Sequence, residues 1–328
     1  MPDTDTITSG AGDFHRPVMT AEIVQGLVTD PSGVYVDATV GGGGHSRAIL
    51  GALDSEGFLI GLDRDLDALN QAVTLETEFP GRVKLLRGAF RDLSRLVETA
   101  MTGRRAQTPR GILFDLGVSS HQIDMADRGF SYQQDGPLDM RMDRSTGVPA
   151  VEMIARVSEA DLAGIIRKFG EERGARRIAR SICRLRDGEG GLRTTADLRK
   201  AVADTGPSHP NKTLARVFQA VRIQVNDELA QLDDGLDGAI ESLATGGRLA
   251  VISYHSLEDR LVKTKLAALA RGCICPPRMP VCACGRKPQF KALHRKALKA
   301  SGEEVAGNGR ARSAVLRISE RIRCDEIA

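Results

Sequence analysis

Apolar residues along this chain follow two regimes. Between residues 34 and 115, short runs rich in β-branched and aromatic residues alternate with helical stretches: Val34-Tyr35-Val36 ends in Asp37, Phe58-Leu59-Ile60-Gly61-Leu62 in Asp63, and Gly111-Ile112-Leu113-Phe114 in Asp115. A further run, Val83-Lys84-Leu85-Leu86, leads through Gly88-Ala89 to Phe90. Runs of this length, separated by helical signals at Ser46 to Leu50 and Asp65 to Val73, predict parallel strands with crossover helices. From about residue 150 to 235 the period is that of helices, as in Ala160 to Ile166 and Ala175 to Ile182. Strand character returns at Gly246 to Ser253 and at Ala314 to Ile318, while Gly188 to Gly191 and Ser301 to Glu304 read as loops. The pattern predicts an α/β sheet, interrupted by a helical insert and completed by the C-terminal segment.

The first strand runs straight into Gly41-Gly42-Gly43-Gly44-His45 and then a helix start. Glycines at such a turn permit positive φ and remove the Cβ atoms that would keep a ligand from the backbone. The dinucleotide fingerprint fits poorly, because counting from Gly41 or Gly42 its third small residue falls on Ser46 or Arg47. A phosphate loop needs Gly-Lys followed by Ser or Thr, and that triplet is absent. What remains is an adenosine-bearing ligand without a pyrophosphate, a description that S-adenosylmethionine meets. Asp63, at the second strand tip, is placed to accept ribose hydroxyls, with Asp65 as the competing helix cap. Phe90 reads either as a wall of an adenine slot or as core, and Asp115 stands at the carboxyl edge where ligands collect in parallel sheets.

Composition changes the picture in three respects. At 328 residues the chain exceeds the ~250–300 at which single cores divide, so two domains are expected. No apolar run approaches the ~18 residues of a membrane span, and residues 1–13 are polar without a signal-peptide core; a cytoplasmic protein is expected. The six cysteines should then be reduced thiols or metal ligands. Net charge is only +3, but residues 260–323 carry 16 Lys and Arg against 3 Glu, which leaves the rest of the chain acidic. That basic end suits a polyanion, since lysines and arginines neutralise phosphates and release counterions.

Several motifs together carry a resemblance. His15-Arg16-Pro17-Val18, the Asp37 to Ser46 turn, Asp115-Leu116-Gly117-Val118-Ser119-Ser120, Arg128-Gly129-Phe130-Ser131, the long run Asp135 to Asp143, Phe218 to Ile223 and Ser253-Tyr254-His255-Ser256-Leu257-Glu258-Asp259-Arg260 occur in order and span nearly the whole chain. They resemble the bacterial 16S ribosomal RNA cytosine-N4 methyltransferases, of the RsmH or MraW type. The resemblance implies a class I S-adenosylmethionine-dependent methyltransferase sheet with residues 1–122 as its first part, an inserted and mainly helical substrate domain at 123–230, and the rest of the sheet with a basic segment at 231–328. It implies transfer of a methyl group to the exocyclic N4 amine of a cytidine in the decoding region of 16S rRNA, within the small ribosomal subunit and away from any membrane. Cofactor contacts carried over from the family fall on Gly43, Gly44, His45, Asp63, Phe90, Asp115 and Gln122, with Asp115 also the catalytic candidate and no metal at the site. One departure is His121 before Gln122, where proline is expected in many relatives.

The amine of cytosine is a poor nucleophile because its lone pair is delocalised, so a hydrogen-bond acceptor on its N–H groups is required, and Asp115 is the candidate. Amino-methyltransferases acting on DNA place Pro-Pro-aromatic after the corresponding polar residue, whereas Leu116-Gly117-Val118 stands here. A base-stacking ring must come from elsewhere, with Phe130, Tyr132 and Tyr254 as candidates. His255, after the Leu249 to Ser253 strand, reads either as a substrate contact or as a structural histidine. Cys273, Cys275, Cys282 and Cys284 form two C-x-C pairs, read either as zinc ligands or as reduced thiols of a proline-shaped loop. A non-catalytic RNA-binding or ribosome-assembly module is the alternative class, although it would have no need of an acid at each strand tip.

Overall fold

In β1 (Val34–Asp37) alternate side chains enter different cores, as a pleated strand requires. Val34 and Val36 join one layer with Ile60, Ile112, Phe114, Leu249 and Val251, and Tyr35 joins the opposite layer with Leu59, Leu113, Ala250 and Ile252. A computed structural model describes residues 17–102, 108–276, 279, 281 and 283–323. The His15-Arg16 pair and Cys282 lie outside them.

The central strands β1, β2 (Phe58–Asp63) and β4 (Gly111–Asp115) are buried along nearly their whole length, the signature of a sheet covered on both faces. With β3 (Val83–Arg87) and β5 (Arg248–Ser253) they pair in parallel. The strand order is β3-β2-β1-β4-β5-β8-β6, where β6 is Phe290–Ala292, β7 is Leu298–Lys299 and β8 is Val315–Arg321. The C-terminal β8 runs antiparallel to β5, so the chain's last strand does complete the sheet. Two short strands that the hydrophobic pattern does not announce, β6 and β7, both pair with β8. Order reverses between β1 and β4, and ligands of doubly wound sheets bind outside the carboxyl ends at such a reversal.

Helices Ala150–Arg156, Glu159–Gly170, Ala175–Asp187, Thr195–Ala203 and Pro210–Asn226 pack around a separate core that includes Met140, Ile154, Ile166, Ile182 and Val217. The next helix, Glu228–Ser242, returns to the sheet through Leu232, Leu236 and Ala239. Ser301 to Glu304, expected to be a loop, instead starts the helix Gly302–Gly307, with the Ser301 hydroxyl accepting the Glu304 amide as an N-cap.

Candidate functional site

The tips of β1, β2 and β4 are tied together by the glycine turn. Gly41, at φ 50°, donates its amide to Asp63 Oδ2 at 2.9 Å, and the Thr39 hydroxyl accepts the Asp115 amide at 2.7 Å. Gly43, at φ 81°, is the N-cap of the helix Gly44–Ala52, a backbone region that disfavours a Cβ. A Cβ on Gly43 would stand 3.0 Å from Leu75 Cδ1, and one on Gly44 3.0 Å from Pro17 Cγ. The first intrahelical bond runs from the Arg47 amide to the Gly43 carbonyl, so the amides of Gly44, His45 and Ser46 are not used within the helix. These donors and the macrodipole favour a carboxylate at the turn.

Behind the turn lies a buried acid. Asp37 accepts the Ser46 hydroxyl at 2.7 Å and the Thr39 amide at 3.1 Å, and burial, opposed by these bonds, raises its carboxyl above the usual range. His45 is buried, with Nε2 3.4 Å from Asp115 Oδ2, and among the described residues neither ring nitrogen has a partner at closer hydrogen-bonding geometry. Burial alone would lower its pKa, but Asp115, with Asp37 and Glu304 beyond, outweighs it and raises the value. The other oxygen of Asp115 accepts the Tyr254 hydroxyl at 2.9 Å. Burial and then the Asp115 charge push the Tyr254 phenol well up, so it remains a donor.

Asp63 is partly exposed, yet protein atoms surround its carboxylate. Burial raises its pKa to about 6 against the amides of Asp65 and Gly41, which each give it a hydrogen bond at 2.9 Å. One lone pair on each oxygen is left for a diol. Beside it, a cavity of about 460 Å³ opens at the ends of β2 and β3, with Arg64, Gly88, Ala89 and Asn226 in its lining. Phe90 itself turns inward: its ring lies edge-on to Phe114 at 5.8 Å, and a Cβ on Gly235 would meet it at 2.9 Å. Its neighbours Gly88 and Ala89 line the cavity instead.

Gln122 is buried and engaged at both ends. Its Oε1 accepts the Ser119 amide at 3.0 Å in a capping box, and its Nε2 donates to Asp65 Oδ2 at 2.7 Å. Asp65 is indeed the cap of the helix Leu66–Ala72, but it also receives Arg128 Nη2 at 2.7 Å. Arg128 is 2% exposed, and it donates further to Asp67 at 2.8 Å and to the carbonyls of Arg141 and Met142 at 3.2 and 3.0 Å. A Cβ on Gly129 would lie 2.2 Å from the Pro137 carbonyl oxygen and one on Gly136 2.0 Å from that of Ala126, so the Arg128 and Asp135 motifs are folded face to face. Asn226 completes the clasp by accepting the Met142 amide at 2.8 Å and donating to the Met140 carbonyl at 2.7 Å. The sequence shows Asp37 as a strand-end acid, Arg128 in a motif and Asp65 as a cap, but gives no sign of the Asp37–Ser46 or Arg128–Asp65 pairs or of Asn226, whose partners lie on other elements.

Of the three stacking candidates, Phe130 and Tyr132 belong to the packing of the insert, Tyr132 edge-on to Phe218 at 5.7 Å. Tyr254 stays at the site, its ring against Gly117, where φ is 99° and an added Cβ would be 3.4 Å away. His255 caps the helix Ser256–Ala270, with Nδ1 accepting the Glu258 amide at 3.4 Å and Nε2 3.1 Å from Glu258 Oε1. Burial alone would raise the Glu258 carboxyl, but His255 and Arg222 hold it below its ordinary value. The basic C-terminal segment is partly neutralised by the acidic remainder: Arg260 pairs with Glu171, Lys265 with Asp233 and Asp237, Arg310 with Asp124 and Arg317 with Asp259. Arg271, Arg286, Arg295, Lys296 and Lys299 are exposed. Among the described residues no helix is long and apolar enough to cross a membrane.

This geometry can be compared with known proteins. The ribosomal RNA small subunit methyltransferase H of Syntrophotalea carbinolica is 49% identical over 315 residues, covering 94% of this chain and 98% of that protein. The protein of the same name from Heliobacterium modesticaldum is 47% identical, covering 94% and 99%, and that from Symbiobacterium thermophilum is 44% identical, covering 96% and 98%. A model of the MraW methylase family matches residues 13–322, and with relatives this similar along their whole length the chain belongs to that family.

Proposed function

We propose that this methylase transfers the methyl group of S-adenosylmethionine to the exocyclic N4 amine of a cytidine in the decoding region of 16S rRNA, with Asp115 as the group that accepts the amine's hydrogen bond. The observation that carries the assignment is the setting of Asp115: it ends β4 at the switch point, Tyr254 and Thr39 fix its orientation, and 24% of its side chain is exposed. The residues present fit the cofactor. His45 and the Gly44 to Ser46 amides suit its carboxylate, Asp63 its ribose diol, and the Gly88-Ala89 edge its base. Gln122 acts through Asp65, holding the loop after β4 against the β2 tip.

S-adenosylmethionine supplies a methyl group activated by its sulfonium. The protein must hold the amine nitrogen in line with the carbon–sulfur bond, and such positioning accounts for much of the acceleration. Transfer of that group would cost the amine one proton, which the Asp115 carboxylate is placed to take and release to solvent. Asp115 orients that N–H and draws density onto the nitrogen, and Tyr254, which stays protonated, keeps the carboxylate from rotating away. Tyr254 also supplies the aromatic surface nearest Asp115 for the flipped base, in a site whose β4 loop lacks one. On this reading the substrate is RNA of the small ribosomal subunit, and the exposed Arg295, Lys296 and Lys299 support contacts to its phosphates.

The Asp115→Asn variant tests the assignment. Methyl transfer measured at saturating S-adenosylmethionine should fall by about 10²–10⁴-fold. Undiminished turnover would remove Asp115 from the chemistry.

A further inference from the structure

After the helix Ser256–Ala270 the chain makes a long excursion before β6, and none of its described residues from 271 to 289 is in a helix or strand. Its base is closed, with the Gln289 amide donating to the Leu269 carbonyl at 2.9 Å and Gly272 against Pro288. Among its described residues there is no apolar core: Ile274, Met279 and Val281 are 52%, 48% and 76% exposed. Loops of this length without elements of their own are uncommon and usually carry a function.

What converges inside the loop is sulfur. The Sγ atoms of Cys273, Cys275 and Cys284 all lie within 4.8 Å of one another, and those of Cys273 and Cys284 are 3.8 Å apart. A disulfide would bring two sulfurs to ~2.05 Å. Tetrahedral zinc at ~2.3 Å from each thiolate sets its sulfurs ~3.8 Å apart, close to the spacing seen. Two backbone amides point at the same sulfurs, Cys275 N–H to Cys273 Sγ at 3.4 Å and Ile274 N–H to Cys284 Sγ at 3.5 Å. Donors of this kind stabilise thiolate over thiol and orient metal ligands. The Ile274 bond reaches across the loop, and Gly285, at φ 61°, turns the chain directly after Cys284.

We propose that Cys273, Cys275 and Cys284 bind one zinc ion, which serves as the core this loop lacks. Three thiolates on a divalent ion leave a net negative charge, and the exposed Arg271, Arg286 and Lys287 on the same loop offset it. Binding displaces the thiol protons to solvent, so affinity rises with pH. By fixing the loop, the ion holds Arg271 and Arg286 at defined positions on the basic side of the molecule. The zinc assignment stands independently of the methyl-transfer chemistry, because none of these cysteines is given a role at the β4 site.

The test uses the full chain, purified with a thiol reductant, stripped of metal and reconstituted with zinc or with cobalt(II). About one zinc per chain should be retained after gel filtration, and cobalt should give thiolate-to-metal charge-transfer absorption. Cys273→Ser and Cys284→Ser should each weaken zinc binding by at least about tenfold. Cys183→Ser, altered in the buried core of the insert, should retain it. Cofactor binding, measured in parallel by calorimetry, reports that each variant is folded. Less than about a tenth of an equivalent of zinc in the reconstituted reduced protein, or full zinc in the folded Cys273→Ser and Cys284→Ser variants, would overturn the proposal.

Discussion

Cofactor affinity should depend on pH through Asp63, in a window set by its surroundings. Burial lifts this carboxyl from an aspartate's ordinary 3.8 to about 6, against the two amides it accepts and the nearby Arg64 guanidinium, with the Asp65 charge adding to the rise. Since its folded pKa is the higher one, Asp63 favours the ligand-free fold most below pH 3.8, and that contribution is lost as pH climbs through about 6. A ribose diol donates to the ionised form, so binding requires Asp63 to have shed its proton. Below pH 6 the dissociation constant should rise toward tenfold per unit, so that at pH 5 binding is about tenfold weaker than at pH 7.5. Calorimetry in buffers of different ionisation enthalpy is the assay: about one proton should be released on binding at pH 5 and almost none at pH 7.5. Asp37 and His45 also titrate near the cofactor, so Asp63→Asn supplies the control. The variant should bind more weakly at pH 7.5 and lose the slope between pH 5 and 6.5. A parent protein with pH-independent affinity, or an Asp63→Asn variant with the parent's slope, would show that Asp63 does not hold the ribose.

Arg128→Met leaves the buried Asp65 without its guanidinium, and breaking such a pair costs about 3–5 kcal/mol, measurable by urea denaturation. A loss below about 1 kcal/mol would mean that the clasp is ornamental to stability. Tyr254→Phe removes one hydrogen bond to a charged acceptor, worth about 1.5–3 kcal/mol, so kcat should drop about 10–100-fold with cofactor affinity held; an unchanged kcat would free Asp115 from its dependence on Tyr254. Charge reversal at Arg295 and Lys296 together should raise KM for rRNA and flatten its salt dependence while leaving cofactor affinity alone, and an unaltered salt slope would place the RNA elsewhere.

The strand tips were legible because their signals are local. Asp37, Asp63 and Asp115 each end an apolar run, and a parallel sheet brings the carboxyl ends of its strands to one edge. The same locality made Gly41 to Gly44 readable as a turn. It did not assign the glycines their separate tasks, because Leu75 and Pro17, which crowd a Cβ at Gly43 and Gly44, are neighbours only after folding. Arg128 meets Asp65 across 63 positions of sequence, and nothing near either residue signals the other. β6 and β7 are three and two residues long, too short for a period, and exist through their pairing with β8. Ser119 and Gln122 carry the spacing of a capping box, yet the donation from Gln122 to Asp65 depends on how the loop after β4 is folded against β2. Phe130, Tyr132 and Tyr254 were indistinguishable as sequence, since aromatic composition does not reveal which ring packs in the insert and which faces Asp115.

The central claim is transfer to a cytidine of the small-subunit RNA. Small ribosomal subunits from cells lacking this methylation are incubated with the purified protein and S-adenosylmethionine carrying a labelled methyl group, and the modified nucleotide is then mapped by digestion and mass spectrometry. Label on the N4 amine of a single decoding-region cytidine, absent with Asp115→Asn, is the expected result. Label on another base or on the ribose, or none at all from protein that binds the cofactor, would contradict it.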